Sequence, residues 1–195
     1  GFIRIRWYGI IIGAAILLGL YIVIREADRQ GIDQEFFLDF FLYGIPGAVI
    51  GARIYYVIFT WSYYSQNPLK IFALREGGLA IHGGILGGLL VLIILVKKRN
   101  KNFWKIADIL IPSLALGQAL GRWGNFLNQE AYGGIVSQDF ISYFPEFIQK
   151  QMYIHGHYRH PAFLYESVLD FAIFLFLIWL RRKNIKNGDI FISYL

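Results

Sequence analysis

Between Gly117 and Gly134 the chain reads GQALGRWGNFLNQEAYGG, placing charge and amides directly after an apolar run. The residues ahead of it, Trp104–Leu116, are almost wholly apolar and resemble most of a membrane-spanning helix. If the helix continues, Gln118, Arg122, Asn125 and Gln129 fall at i, i+4, i+7 and i+11, one polar stripe on a single face. Gly117, Gly121 and Gly124 form a neighbouring stripe of bare backbone, which lets another helix approach closely. An arginine at the centre of such a segment costs about 2.5–3.5 kcal/mol by insertion scales, so it faces a cavity, a partner or a helix end. Its planar fork holds two phosphate oxygens at once. The alternative is an arginine snorkelling at a helix end beside a packing motif.

Further polar residues sit at comparable places. Arg53 is the one charge deep in the apolar run Phe36–Phe59. It is either a second phosphate clamp or a structural partner of Glu130 or Glu166. His82 opens LAIHGGILGG, and an imidazole, with an ordinary pKa of ~6.5, suits a general base; the competing reading is a core histidine bonded to a carbonyl. Asn125, Asn128 and Gln129 suit hydrogen bonds to glycerol hydroxyls or ester carbonyls. Tyr8, Tyr165 and Glu166 stand at the starts of other apolar runs, where tyrosine is common at a membrane interface anyway. Asp39 and Asp108 sit near helix ends as caps or anchors. His155, His157 and His160 have a metal-like spacing, but no carboxylate or cysteine completes it locally, so no metal is expected. The 195 residues contain no cysteine and no Gly-x-Ser-x-Gly, which argues against a thiolate or an elbow serine as nucleophile. Together these residues suggest an anionic phospholipid site in the outer half of a bilayer.

The elements that must position them are membrane helices. Hydrophobic residues make up 56% of the chain and charged residues 16%, against about a quarter charged in soluble domains. The expected fold is an all-α integral membrane protein, a polytopic helix bundle. Its apolar runs are Tyr8–Ile24, Phe36–Phe59, Leu79–Val96, Trp104 to about Leu120, and Val168–Leu180 extended backwards by HPAFLYES. A sixth run begins at Ile190. Residues 25–31 read as a polar loop, and 135–160 as an extracytoplasmic cap between the fourth and fifth spans. The whole is read as a single transmembrane domain and, from its start at Gly1 and its stop inside an apolar run, as a fragment lacking the last spans. No cleavable signal peptide is expected.

The net charge of +6 is concentrated in a few loops, so it bears on topology rather than on nucleic acid. Lys97, Lys98, Arg99, Lys101 and Lys105 follow the third span, and Arg181, Arg182, Lys183 and Lys186 follow the fifth; both clusters are expected in the cytoplasm. The N-terminus then lies outside, with Arg4 and Arg6 mildly opposing. At ~1.5 Å per residue, Arg122 lies roughly 27 Å beyond Trp104, near the outer edge of a ~30 Å hydrocarbon core. Arg53, His82, Tyr8, Tyr165 and Glu166 reach a similar level by the same count. A transporter of anionic lipids is the competing class, but the chain shows neither an internal repeat nor polar residues spread through the bilayer depth.

Three motifs carry a resemblance. HGGILGG at His82–Gly88, GRWGNFLNQEAYG at Gly121–Gly133 and HPAFLYES at His160–Ser167 closely resemble signature blocks of the bacterial prolipoprotein diacylglyceryl transferase family. IRWYG at Ile5–Gly9 and GARIYYVIF at Gly51–Phe59 are similar to its first two spans. The resemblance runs in order along nearly the whole chain. It implies transfer of a diacylglyceryl group from phosphatidylglycerol to the lipobox cysteine of a prolipoprotein signal peptide, with a thioether formed and glycerol phosphate released. The implied setting is the bacterial plasma membrane with the active site facing the outer leaflet, membrane lipids as partners, and no cofactor. By motif, Arg122, Asn125, Glu130 and Gly133 correspond to the long block's important positions, His82 to the HGG histidine and Tyr8 to the first span's tyrosine. His82 and Arg122 are both candidates for the base, with His82 preferred because a guanidinium stays protonated below pH ~12. The family continues with further spans carrying another arginine and glutamate, beyond Leu195.

Overall fold

A computed structural model describes residues 7–74, 77–183 and 186–195. Arg4, Arg6 and the start of the IRWYG motif lie outside the described residues. Among the described residues, five helices are long and apolar enough to cross a membrane. They are α1 (Trp7–Arg29), α2 (Gln34–Phe59), α4 (Ile81–Lys98), α5 (Phe103–Asn128) and α8 (Ala162–Leu180). Short helices α3 (Trp61–Tyr64), α6 (Gln138–Ile141), α7 (Glu146–Gln151) and α9 (Asp189–Tyr194) join them, with one antiparallel hairpin of β1 (Tyr153–Ile154) and β2 (His157–Tyr158). The chain is an all-α polytopic membrane protein. Its first connection is tighter than the polar composition suggested: Arg25–Arg29 stay helical, and the turn is confined to the residues around Gly31, whose φ is +64°. The chain divides into two compact units, residues 27–103 and residues 1–26 with 104–195.

In the first unit α2 and α4 pack through glycine. Gly47 and Gly51 on α2 meet Gly83 and Gly87 on α4 so closely that a Cβ at Gly51 would fall on the Gly83 carbonyl. A Cβ at Gly83 or Gly87 would likewise fall on the carbonyl of Gly51 or Gly47. Small residues four apart on both helices permit this backbone contact. Pro46 lies inside α2, which continues as one helix through it. Asp39 pairs with Arg99 and so anchors the basic end of α4, as an acid at a helix end was expected to do. Gly83→Ala should lower the melting temperature in detergent, because overpacking typically costs about 1–3 kcal/mol. Gly88→Ala is the matched control, since the nearest atom to its added Cβ is 3.9 Å away. Equal effects of the two would refute the glycine seam.

The second unit holds α1, α5, α8 and α9. Ser113 on α5 donates to the Gly19 carbonyl of α1 at 3.2 Å. Ser167 on α8 donates to the Ala119 carbonyl at 2.9 Å and accepts from Trp123 Nε1 at 3.0 Å, tying α8 to α5 through a buried hydroxyl. Asp108 works as a cap: its carboxylate accepts from the N–H groups of Gly188 and Phe191 at 2.6 and 2.9 Å, covering the start of α9. Glu26 and Arg181 form a buried ion pair at 3.5 Å. Residues 135–160 fold into α6, α7 and the hairpin, whose His155-Gly156 turn has both φ angles positive, as a type I′ turn requires. Ile141, Ile148, Met152 and Ile154 pack there on Phe126 of α5 and Phe163 of α8, a small apolar core of its own.

Candidate functional site

In the second unit, α5 runs through the whole polar stretch to Asn128, so Arg122 and Asn125 do share a helical face. Gln129 does not. The helix ends in a Schellman motif: Gln129 N–H bonds the Phe126 carbonyl at 3.1 Å and Glu130 N–H bonds the Asn125 carbonyl at 2.9 Å. Gln129 takes the left-handed position with φ +55°, where glycine is usual, and Ala131 follows with φ +51°. Two strained residues therefore flank Glu130, whose side chain is exposed. Gln151 donates to the Phe126 and Leu127 carbonyls at 3.0 Å, and Gln129 donates to the Gln151 carbonyl at 2.8 Å, which fixes the helix end.

Arg122 faces α8. Its Nη1 lies 3.0 Å from Glu166 Oε2 and its Nε 3.9 Å from Asp170 Oδ2. Sequence reasoning found Glu166 but not as Arg122's partner, and it missed Asp170. The available signal was two acids four apart on an otherwise apolar helix, a spacing that repels unless a cation lies between. No acid stands three or four residues from Arg122 in the sequence, where Gln118, Ala119, Asn125 and Phe126 lie, because both partners come from another span. Nη2 carries no protein partner among the described residues, and neither do the half-buried amides of Asn125 and Asn128. An apolar cleft of about 260 Å³ also runs between α5 and α8, lined by Leu116, Leu120, Trp123, Val168 and Phe171 among others, with none of Arg122, Asn125 and Asn128 in its lining.

The glycine stripe divides. A Cβ on Gly124 would strike the Tyr8 ring at 2.7 Å, so this glycine seats the start of α1 on α5. Gly121 has only the Ile12 methyl at 3.9 Å, and Gly117 nothing within 4 Å, so the expected close helix approach exists at Gly124 alone. Gly133 exchanges backbone contact with His160, its N–H donating to that carbonyl at 3.0 Å, and a side chain there would collide with the His160 Cβ. His160 itself is stacked between Phe140 and Tyr165, each ring centroid 5.3 Å away.

The other two expected site residues belong to the first unit. Arg53 is 6% exposed and donates to the carbonyls of Ile71, Gly77, Gly78 and Lys70 at 2.5–2.9 Å, with Tyr64 under the guanidinium. Four of its hydrogen bonds thus build the loop between α3 and α4, and neither acid suggested as its partner is used in that arrangement. A pocket of about 310 Å³ opens beside it, lined by Tyr56, Thr60, Tyr63, Lys70 and Gly78. His82 stands in the first turn of α4, exposed, its ring 6.0 Å from and nearly parallel to Tyr55. The core-histidine reading fails on exposure, and His82 has no carbonyl partner among the described residues.

Five helices long and apolar enough to cross a membrane define a polytopic membrane protein, with Arg122 paired to Glu166 and an apolar cleft between α5 and α8. The chain matches the family model described as prolipoprotein diacylglyceryl transferase over residues 1–195. It is 51% identical over 193 residues to the phosphatidylglycerol–prolipoprotein diacylglyceryl transferase of Bacillus mycoides, spanning 98% of this chain and 72% of that one. Similar enzymes of Bacillus cytotoxicus and Bacillus cereus are 52% and 51% identical over the same shares. The chain belongs to the prolipoprotein diacylglyceryl transferase family.

Proposed function

We propose that this protein transfers the diacylglyceryl group of phosphatidylglycerol to the lipobox cysteine thiol of a prolipoprotein signal peptide. The match of the whole chain to relatives named for that reaction carries the reading. A sulfur–carbon bond forms at the glycerol carbon and the carbon–oxygen bond to phosphate breaks. The bond's electron pair leaves on glycerol phosphate, and the thiol proton passes to a base. Arg122 is the phosphate group's holder: its guanidinium, kept in place by Glu166, stabilises negative charge as it gathers on the leaving oxygen. The α5–α8 cleft takes acyl chain, and Asn125 and Asn128 meet glycerol hydroxyls or ester carbonyls with amides that the fold leaves uncommitted. Glu130, Tyr8 and Tyr165 also contact substrate in this reading; the seating of the Tyr8 ring on Gly124 supports this for Tyr8, while Gly133 packs on His160. His82 is the base, being an exposed imidazole that lies beside the Tyr55 ring and makes no hydrogen bond among the described residues. Arg53 contributes by shaping the loop that precedes α4.

Labelled phosphatidylglycerol with a lipobox peptide tests this. Release of glycerol phosphate that requires the peptide's cysteine, and is lost with serine in its place, is the expected result. Lipid movement without bond cleavage would identify a lipid transporter instead.

The orientation that serves such a reaction places the N-terminus outside the cell and residues 97–105 in the cytoplasm, following the basic cluster. Because the 195 residues contain no cysteine, single substitutions read this directly. An impermeant thiol reagent should label Phe140→Cys but not Asn100→Cys in intact cells. The reverse pattern would invert the topology.

A further inference from the structure

Arg122 is overmatched. One guanidinium faces two carboxylates, and the facing oxygens, Glu166 Oε2 and Asp170 Oδ2, are shielded from solvent and accept no hydrogen bond among the described residues. The two acids are not equivalent. Glu166 lies 3.0 Å from Nη1, a close ion pair that neutralises the arginine. Asp170 lies 3.9 Å from Nε, near enough for charge and too far for a hydrogen bond. A guanidinium has two forked edges, Nη1 with Nη2 and Nε with Nη2. Glu166 occupies part of the first, so the edge left for two phosphate oxygens is Nε with Nη2. That is the edge Asp170 overlooks.

We propose that Asp170 is a charge filter on the Arg122 phosphate site, admitting a singly charged phosphodiester and rejecting a doubly charged phosphomonoester. The inference rests on Arg122 holding the substrate's phosphate. A surplus carboxylate beside the site repels a bound phosphate in proportion to that phosphate's charge. The lipid substrate is a diester with one negative charge. The product, glycerol phosphate, is a monoester with a second pKa near ~6, so at neutral pH it carries nearly two. Asp170 therefore penalises product about twice as much, in logarithmic terms, as substrate. Carbon–oxygen cleavage itself creates the charge that drives the leaving group off the arginine. As a positioning residue, Asp170 touches no reacting atom and acts through the field at Arg122.

The test uses the full-length protein and two soluble inhibitors: glycerol phosphate, a monoester, and glycerophosphoglycerol, the singly charged deacylated headgroup. Asp170→Asn preserves shape and removes the charge. It should tighten glycerophosphoglycerol about threefold and glycerol phosphate about tenfold, the square of the first factor, as expected for a partly exposed charge. Turnover should become sensitive to accumulated product. Asp170→Ser, also uncharged, should reproduce the pattern, so that a folding defect in one variant does not decide the outcome. Equal shifts for both inhibitors, or no shift in either variant, overturn the filter. An Arg122→Lys arm separates the two levels: if it leaves both inhibition constants unchanged, Arg122 does not hold phosphate and the filter falls with it. If it weakens both while the Asp170 variants change nothing, only the filter is wrong.

Discussion

Arg122→Lys should insert and purify like the parent protein yet release glycerol phosphate about ten- to a hundredfold more slowly. Charge-assisted hydrogen bonds are worth about 1.5–3 kcal/mol each, and the loss of one from a transition state gives that range. Lysine keeps the charge and can still meet Glu166. It cannot offer the Nε–Nη2 edge, and a point charge does not orient two oxygens. Arg122→Ala should be inactive, and it also leaves Glu166 and Asp170 facing each other without a cation. Its monodispersity therefore has to be checked, and Arg122→Ala with Glu166→Gln is the cleaner comparison. Full activity in Arg122→Lys would show that charge alone suffices. Full activity in Arg122→Ala would remove Arg122 from the reaction.

His82→Asn is expected to reduce kcat by about 10²–10⁴-fold, the usual contribution of general acid–base catalysis. Binding of phosphatidylglycerol should stay within about threefold of the parent, since a lost base slows the chemical step without removing uniform binding. Structural damage is a small concern here: His82 is exposed, and among the described residues its ring contact is with Tyr55. Near-normal turnover at saturating substrate would make His82 a bystander and place the base elsewhere.

The long apolar runs were legible because nothing else in the chain competes with them, and Arg122 was legible as a charge at the end of one. The tight seam at Gly47 and Gly51 also follows from local pattern, two glycines four apart on one helix face. What the sequence hid was partnership at a distance. Glu166 and Asp170 are 44 and 48 residues from Arg122, and only helix packing brings them to it. Arg53 looked like a twin of Arg122 by depth, but the loop before α4 turns four carbonyls onto it. Gln129 fitted a helical stripe by count, yet the helix stops one residue earlier in a left-handed cap that the side chain does not announce. Gly117 shows the converse error, since bare backbone permits an approach that the fold does not use there.

The most direct measurement is the fate of oxygen and sulfur in one turnover, with full-length protein, phosphatidylglycerol and a lipobox peptide in ¹⁸O-enriched water. Attack by the thiol on the glycerol carbon should give thioether-linked diacylglyceryl peptide and glycerol phosphate mole for mole, with no ¹⁸O in the phosphate. Labelled glycerol phosphate, or its release without the cysteine, would mean that water rather than the thiol breaks the bond, and would contradict the account.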